Sequence, residues 1–233
     1  FRYSDDTPLV LDNISFSIKE GEYVAIVGRS GCGKSTLMRL LLGFETPNAG
    51  SIMYGDYDLS CVNLRSIRQN GISMVMQDAK LIKGNIYDNI TLANPNATLE
   101  DAWNAAEIAG IAKDIRQMPM GMETLVSEGG GGVSGGQRQR LIIARAVCSG
   151  RKIMILDEAT SALDNITQQA VTKSLDKLKC TRIAIAHRLS TVQHCDRILV
   201  LDEGRICEEG TYEELIEKDG VFAELVKKQR LDV

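Results

Sequence analysis

Short apolar segments alternate with longer helical patterns along most of the chain. Residues 24–27 are uninterruptedly apolar, which is typical of a strand buried on both faces. Residues 14–18 instead alternate apolar and polar positions, which predicts a half-exposed strand. Further strands are predicted at 51–54, 72–76, 153–156, 182–186 and 198–201. This alternation predicts an α/β fold with a largely parallel sheet and helices on its faces.

Helical patterns occupy two regions. The run that begins at Lys34 is helical and ends at Gly43. A longer helical region follows, with a helix start at Thr98 and Asp101. The apolar residues of that helix lie at helical spacing: Leu99, Ala102, Trp103, Ala106 and Ala109. We therefore expect residues 83–140 to form a helical subdomain inserted into a core of residues 1–82 and 141–233.

Two local signals mark the C-terminal part of the chain. Residues 201–206 have the pattern of a hairpin that turns at Glu203 and Gly204. Thr211 and Glu214 form a capping-box sequence, which predicts that a helix begins there.

Composition and charge narrow the class of protein. The chain has 233 residues, of which 44% are hydrophobic and 25% charged, as in an ordinary globular domain. With a net charge of -4 and scattered basic residues, nucleic acid is not an expected partner. The six cysteines form no C-x-x-C pair, which argues against a zinc site or disulfide framework. No apolar run reaches the ~18 to 20 residues of a membrane span, so we expect a soluble domain.

The sequence from Gly28 to Ser35 fits the phosphate-loop pattern G-x-x-x-x-G-K-[ST] between a predicted buried strand and a helix. Glycines let backbone N–H groups point at phosphate oxygens, and the helix N-terminus adds positive potential there. Lys34 is expected to bind the β- and γ-phosphates, and Ser35 to ligate Mg²⁺. The alternative, a simple glycine-rich turn, does not require Lys and Ser at these places. The expected nucleotide contacts are Gly28, Ser30, Gly31, Cys32, Gly33, Lys34, Ser35 and Thr36.

Two carboxylates end the predicted strand at 153–156. Asp157 is placed to hold Mg²⁺ through water, and Glu158 to orient and deprotonate the attacking water. Alone, such a strand end is often a solvated turn. Together with a phosphate loop, it favours a catalytic role.

Residues 133–137 read Val-Ser-Gly-Gly-Gln at the start of a helix. This segment resembles the signature motif of the ABC ATPases, usually Leu-Ser-Gly-Gly-Gln. A plain helix start is the alternative interpretation. Helix starts of this kind bind anions, so the motif is a second phosphate site. Its expected nucleotide contacts are Ser134, Gly135, Gly136 and Gln137.

The resemblance implies that two such domains pair head to tail. Each of two ATP molecules is then held by the phosphate loop of one domain and the signature of the other. The expected partner is a second ABC ATPase domain, and a homodimer is the first expectation.

Further matches extend the resemblance over essentially the entire chain. Tyr3 resembles the aromatic residue that stacks on adenine, and Gln77 the residue that joins the Mg²⁺ and water shell. Residues 161–164 resemble the loop that crosses the dimer interface, with Asp164 as a nucleotide contact, and His187 resembles the switch histidine at the γ-phosphate. The implied catalytic residues are Lys34, Gln77, Glu158 and His187, and the implied metal ligands are Ser35, Gln77 and Asp157.

The resemblance implies a P-loop ATPase core with a mostly parallel sheet, an antiparallel β subdomain near the N-terminus and an inserted helical subdomain. The cofactors it implies are ATP and Mg²⁺. Residues 124–130 are similar to the exporter loop that touches the coupling helices of the membrane domain, although Ser127 stands where Gly is usual. Residues 80–90 also resemble exporters, most closely those of bacterial peptides, bacteriocins and protein toxins.

The chain starts at Phe1 without an initiator Met. We therefore expect transmembrane domains fused upstream of Phe1, and a location at the cytoplasmic face of the inner membrane.

Two other classes of ABC protein are alternatives to an exporter ATPase. Soluble ABC ATPases that act on nucleic acid or ribosomes carry coiled-coil insertions, zinc modules or tandem ATPase domains, which this sequence lacks, and its acidic charge also counts against that class. A degenerate regulatory domain without turnover would not need Lys34, Asp157, Glu158 and His187 together. The sequence therefore favours the energy-coupling ATPase of an exporter.

Overall fold

The computed structural model describes residues 1–76, 79–157, 159, 162–186 and 189–231. The chain forms two compact units, one from Phe1–Gly71 and Thr181–Val233 and the other from Ile72–Cys180. The predicted subdomain boundaries at residues 82 and 140 do not coincide with these units, and they stay a prediction.

Strands and short helices alternate through both units. The strands, in chain order, are β1 (Tyr23–Val27), β2 (Met53–Tyr54), β3 (Tyr57–Asp58), β4 (Ile72–Val75), β5 (Gly84–Asn85), β6 (Leu125–Val126), β7 (Ile153–Asp157), β8 (Thr181–Ile185), β9 (Arg197–Asp202) and β10 (Arg205–Gly210). The helices are α1 (Lys34–Leu41), α2 (Leu64–Asn70), α3 (Ile86–Thr91), α4 (Leu99–Ile108), α5 (Ala112–Gln117), α6 (Gly135–Cys148), α7 (Asn165–Leu175), α8 (Leu189–Val192), α9 (Tyr212–Glu217) and α10 (Val221–Leu231). Leu59–Cys61 and Gly121–Glu123 form 3-10 helices.

In the first unit, β1 lies between β8 and β9 and is parallel to both. Ala25 lies opposite Ala184 on one side and Ile198 on the other, and all five residues of β1 are buried. This confirms the predicted strand with two buried faces. The carboxyl end of β1 leads directly into residues 28–33, so the sheet places this loop where parallel strands commonly present their ligand sites.

The segment at residues 14–18 differs from its prediction. Burial alternates as expected, with Ile14, Phe16 and Ile18 half-buried, but the structure describes no strand there. The carbonyl of Ser17 accepts a hydrogen bond from the Arg197 guanidinium instead of a backbone N–H. The predicted strand was therefore wrong, because alternation reports which side chains are buried and not whether the backbone has a partner strand. Antiparallel pairing near the N-terminus is found between β2 and β3.

In the second unit, β4 and β7 pair in parallel, with Ile72 opposite Ile153. The long helix α6 packs against α3 and α4. Helix α4 begins with the predicted capping box, in which the Thr98 and Asp101 side chains each accept a hydrogen bond from the other residue's backbone N–H. Its alanines Ala102, Ala105 and Ala106 are buried and form the packed face of the helix, whereas Leu99, the first residue of the predicted apolar stripe, is 53% exposed.

The C-terminal predictions are confirmed. Strands β9 and β10 are antiparallel, and both turn residues, Glu203 and Gly204, have the positive φ of a primed hairpin turn. Thr211 and Glu214 form the predicted capping box of α9. In addition, the buried Glu208 carboxylate accepts the backbone N–H groups of Val221 and Phe222 at the start of α10.

Among the described residues, no helix is both long and apolar enough to cross a bilayer. Most of the cysteines are buried, as expected for small apolar side chains, and Cys61 and Cys207 are exposed.

Candidate nucleotide site and signature helix

The phosphate loop of the first unit joins β1 to α1. Gly33 is the N-cap residue of α1, and within the described part of the chain no side chain caps this helix. The first N–H groups of a helix have no partner inside it, so they remain available to an external acceptor. The start of α1 therefore has the features of an anion site.

Close contacts fix the curvature of this loop. A Cβ atom on Gly28 would overlap the carbonyl oxygen of Leu201 in β9. On Gly33, which has a φ of 106°, a Cβ atom would lie 2.7 Å from Cδ2 of Leu11. A side chain at Gly28 would require the backbone to move, and at Gly33 the positive φ itself disfavours any L side chain. Contacts within the chain therefore determine the shape of this loop.

Lys34 is the main charged group of the loop. It is only 6% exposed, and its ammonium donates to the carbonyl oxygens of Gly28 at 2.8 Å and Arg29 at 2.9 Å. Cys32 Sγ lies 3.8 Å from the same nitrogen. Among the residues that the structure describes, no carboxylate forms an ion pair with Lys34. A buried cation without a counter-charge is unfavourable, so this site is complementary to a phosphate.

Tyr3 lies beside the start of α1. Its hydroxyl shares a 3.0 Å hydrogen bond with the Thr36 hydroxyl, and the Phe1 ring packs edge-on at 5.0 Å. Tyr3 is nevertheless 54% exposed. The ring is therefore held near the phosphate loop but remains accessible. Ser30, Gly31 and Ser35 are exposed at the same loop and helix start.

The signature segment forms the start of α6 in the second unit. Ser134 Oγ accepts from the Gln137 N–H at 3.2 Å, and Gln137 Oε1 accepts from the Ser134 N–H at 3.0 Å. Ser134 and Gly135 are exposed, so this helix start faces solvent. The structure gives Gln137 a capping role, and its predicted contact with nucleotide stays a prediction, as does that of Gly136.

Asp114 in α5 holds the signature helix from the side. Gln137 Nε2 and Arg140 Nη1 both donate to its carboxylate at 2.9 Å. Burial by itself would raise the pKa of Asp114, but these hydrogen bonds outweigh it and hold the pKa below its ordinary value of 3.8. The sequence reading missed this residue, because nothing in the pattern of α5 distinguishes it from any exposed helical carboxylate.

The acidic candidates have different surroundings. Asp157 ends β7 and is half-buried. Asp164 caps α7, where its carboxylate accepts the N–H groups of Thr167 at 3.0 Å and Ile166 at 3.1 Å. These bonds lower the pKa of Asp164. Metal binding by Asp157 and nucleotide contact by Asp164 stay predictions.

Several predicted residues lie outside the described residues. They are Gln77, Glu158, Ser161 and His187. The structure thus assembles the phosphate-loop candidates in one unit and the signature candidates in the other, each as a helix start open to an anion.

Comparison with known proteins identifies the family. The model of the family described as ABC transporter matches residues 11–161, which include both helix starts. The chain belongs to the ABC transporter family. This confirms the expected relationship, and the mixed α/β fold with its mostly parallel strands is the expected fold of the ABC ATPases.

Relatives within the ABC transporter family include toxin exporters. The chain is 44% identical, over 98% of its length, to the alpha-hemolysin translocation ATP-binding protein HlyB of Escherichia coli. It is 43% identical, over 99% of its length, to the exotoxin translocation ATP-binding protein PaxB of Pasteurella aerogenes. It spans 33% of the length of each of these relatives.

A solved structure of a bacterial Atm1-family ABC exporter with ATP bound also matches. It is 40% identical, with a TM-score of 0.92 over 98% of this chain and 40% of that chain. The match therefore covers nearly all of both units.

Gly28 and Gly31 lie in the same loop but have different surroundings. Substitutions at these two positions test whether close contacts determine the shape of the phosphate loop. Gly28→Ala should weaken ATP binding by about a hundredfold or more, because the added Cβ displaces the backbone from Leu201 and misplaces the phosphate donors. Gly31→Ala is the control. It carries only the strain of its positive φ, about 1–2 kcal/mol, since its Cβ would meet no atom within 4 Å. Equal losses in a nucleotide titration of the two variants would contradict the close-contact explanation.

Asp114 should stabilise the second unit in a pH-dependent way. Its folded pKa lies below 3.8, so its contribution is present above that value and is lost as pH falls through the folded pKa. Asp114→Ala should lower the free energy of unfolding by about 1–3 kcal/mol at neutral pH. The difference from wild type should shrink in acid. Urea unfolding at several pH values checks this, with the exposed carboxylate of Glu100 replaced by Ala as control. A pH-independent difference would refute the assignment.

Proposed function

We propose that this chain is the ATP-binding and ATP-hydrolysing domain of an ABC exporter, which couples ATP-driven pairing and hydrolysis to export of a peptide or protein. The observation that carries the ATPase is the buried Lys34 ammonium at the start of α1, to which the described residues offer only neutral acceptors and no side-chain cap of the helix. The exporter role and the class of cargo are supported by the likeness to toxin translocation proteins and to an ABC exporter.

The phosphate loop binds the triphosphate of ATP. The N–H groups at the start of α1 and the Lys34 ammonium bind the β- and γ-phosphate oxygens, which supply a negative charge that the described residues do not offer to Lys34. Tyr3 stacks on adenine, a contact worth about 1 to 3 kcal/mol by analogy with stacking on nucleic-acid bases. Its exposed ring and its hydrogen bond to Thr36 support this role.

Magnesium is the metal that the phosphate loop fits. Ser35 is exposed at the start of α1, and its hydroxyl and the Asp157 carboxylate are the hard oxygen ligands that Mg²⁺ prefers, with Gln77 as a third ligand. When bound, the ion stabilises charge on the phosphate oxygens.

Hydrolysis requires a base next to the γ-phosphate. Glu158 takes a proton from the attacking water, and the oxygen of this water bonds to the γ-phosphorus. The bond between the γ-phosphorus and the bridging β–γ oxygen breaks. His187 and Gln77 orient the water and the γ-phosphate. These roles rest on the chemistry of the residues and on their places in the ABC ATPase motifs.

The signature helix completes the site of a second copy. Its exposed start, with Ser134 and the glycine N–H groups, binds the γ-phosphate held by the phosphate loop of the partner. The pair is head to tail, and a homodimer is the simplest arrangement, with Asp164 close to the nucleotide of the partner.

The exporter assignment includes a membrane partner. Transmembrane domains fused upstream of Phe1 place this domain at the cytoplasmic face of the inner membrane. Residues 124–130 are the contact segment for those domains. Leu125 within it is 71% exposed, so an apolar side chain is available at this segment for such a contact.

Replacing the base separates binding from hydrolysis. Glu158→Gln should leave ATP affinity unchanged and slow steady-state hydrolysis by about a hundredfold or more. The variant should also accumulate as an ATP-bound dimer in size-exclusion chromatography. Unchanged turnover would remove Glu158 from its role.

A substitution that blocks the signature should prevent the pairing of two chains but leave ATP binding unchanged. Ser134→Arg places a long cation at the exposed helix start, where it occupies the space of the partner's phosphate. Each monomer should still bind ATP, because its own phosphate loop is unchanged. A tight ATP-dependent dimer of this variant, measured by analytical ultracentrifugation, would contradict the shared-site arrangement.

A further inference from the structure

Two glycines open helix α6, and glycine gives a backbone more conformational freedom than any other residue. Packing restrains them little. An added Cβ on Gly135 would have Arg138 Nη2, at 4.0 Å, as its nearest contact outside the helix backbone. One on Gly136 would lie 3.5 Å from the Ala162 carbonyl oxygen, which is an ordinary contact distance. Hydrogen bonds of neighbouring side chains are therefore the main restraint on this first turn.

Gln137 is the side chain that restrains the turn. Its Oε1 accepts from the Ser134 N–H at 3.0 Å, and its Nε2 donates to Asp114 Oδ1 at 2.9 Å. These bonds use opposite ends of one amide. A reversed amide would place its NH₂ group against the Ser134 N–H and its oxygen against the carboxylate. The bond to Asp114 therefore ensures that Gln137 presents an acceptor to Ser134.

The Asp114 carboxylate accepts hydrogen bonds on both of its oxygens. Arg140 Nη1 donates to Oδ2 at 2.9 Å, and Nη2 lies 3.4 Å from Oδ1, the oxygen that Gln137 also contacts. The side chains of Asp114 and Arg140 are 28% and 15% exposed, so solvent screens this ion pair only in part. An amide of the same shape would place an NH₂ group against one of these donors. Two acceptor oxygens at this position thus require a carboxylate.

The position of Asp114 is fixed by α5. Ala112 and Ile115 in the same helix are 1% and 0% exposed, so packing in the core of the second unit holds α5 in place. An ion pair with Arg140, one turn along α6, would be sufficient to attach α5 to α6. The additional bond to Gln137 reaches the capping box itself. This geometry fits control of the helix start better than attachment of the two helices alone.

We propose that Asp114 is a positioning residue for the signature. It orients the Gln137 amide, and the amide holds the first turn of α6 in the conformation that receives the phosphate of the partner. Gln137 then acts through the Ser134 backbone and not as the nucleotide contact expected from the sequence. Loss of the Asp114 carboxylate lowers pairing and turnover, while ATP binding to the phosphate loop of the same chain stays the same. This rests on the proposed function, in which the start of α6 binds the γ-phosphate of the partner.

The test compares two carboxylates of the second unit. Asp114→Asn keeps the shape of the side chain but removes one acceptor. It should lower kcat by about 10-fold, the effect of one hydrogen bond to a charged group, with an unchanged Kd for ATP. Glu107→Gln is the matched control, because Glu107 pairs with Arg116 in α5 and should leave both values unchanged. Asp114→Glu keeps two acceptor oxygens and should give an intermediate loss of kcat.

Pairing is measured by analytical ultracentrifugation with ATP, in the Glu158→Gln background so that ATP is not consumed. Asp114→Asn should weaken pairing by about 10-fold. Gln137→Met removes both polar groups of the amide and should weaken pairing at least as much. Adding Asp114→Asn to Gln137→Met should weaken pairing no further, because Asp114 acts through Gln137. Additive losses would overturn this route of action.

Proton exchange of the Gln137 side-chain amide, measured by nuclear magnetic resonance, gives a readout that does not depend on ATP. These protons should exchange with water more slowly in the wild type and in Glu107→Gln than in Asp114→Asn. Equal exchange rates in the wild type and in Asp114→Asn would contradict the proposed orientation of the amide by the carboxylate.

The wild-type measurements separate this inference from the proposed function. A wild-type chain that neither pairs nor hydrolyses ATP would overturn the proposed function and this inference with it. Wild-type activity together with equal kcat values for Asp114→Asn and Glu107→Gln would overturn the inference alone. A loss of ATP affinity as large as the loss of kcat would do the same. Thermal unfolding is measured alongside, and Asp114→Glu takes the place of Asp114→Asn if the latter does not fold.

Discussion

The nucleotide site depends on a buried ammonium group, that of Lys34, to which the described part of the chain offers only neutral acceptors. Lys34 reaches its position because β1 is buried on both faces and delivers the chain into a loop whose curvature Gly28 and Gly33 allow. The carbonyls of Gly28 and Arg29 satisfy the donors of the ammonium without neutralising it. The described residues around Lys34 therefore leave a local deficit of negative charge, which the charge and oxygen atoms of a triphosphate would correct.

The two helix starts differ in the groups that they offer to an anion. At α1 the described residues provide no side-chain cap, so backbone N–H groups remain available. At α6 a capping box occupies part of that capacity, and Asp114 in α5 braces the helix from the side through Gln137 and Arg140. The start of α1, with its available N–H groups, is suited to tight binding of a phosphate. The start of α6 instead suits a rigid surface that meets a phosphate already bound elsewhere.

Local signals in the sequence predicted much of this structure. The phosphate loop, the start of α4, the β9–β10 hairpin and the start of α9 each depend on residues within a few positions of one another, and each was predicted correctly. The family and the exporter likeness followed from motifs of the same local kind.

What the sequence did not predict depends on contacts between distant residues. The expected strand at 14–18 failed because its alternation carries no information about a pairing partner. Asp114 and Gln137 are 23 residues apart, and Asp114 and Arg140 are 26 apart, so only packing of the helices brings them together. Gln77, Glu158 and His187 stay predictions that rest on motif and chemistry.

The capping box at the start of α6 also limits which ligands the signature can accept. Because Ser134 Oγ accepts the Gln137 N–H, its hydroxyl hydrogen stays available to donate to another acceptor. The exposed face of this helix start therefore offers donors, in the hydroxyl and the glycine N–H groups, and disfavours cations and other donor groups. Its conformation is fixed on folding, so an anionic ligand that bound here would meet a preorganised site and would lose little conformational entropy of the protein.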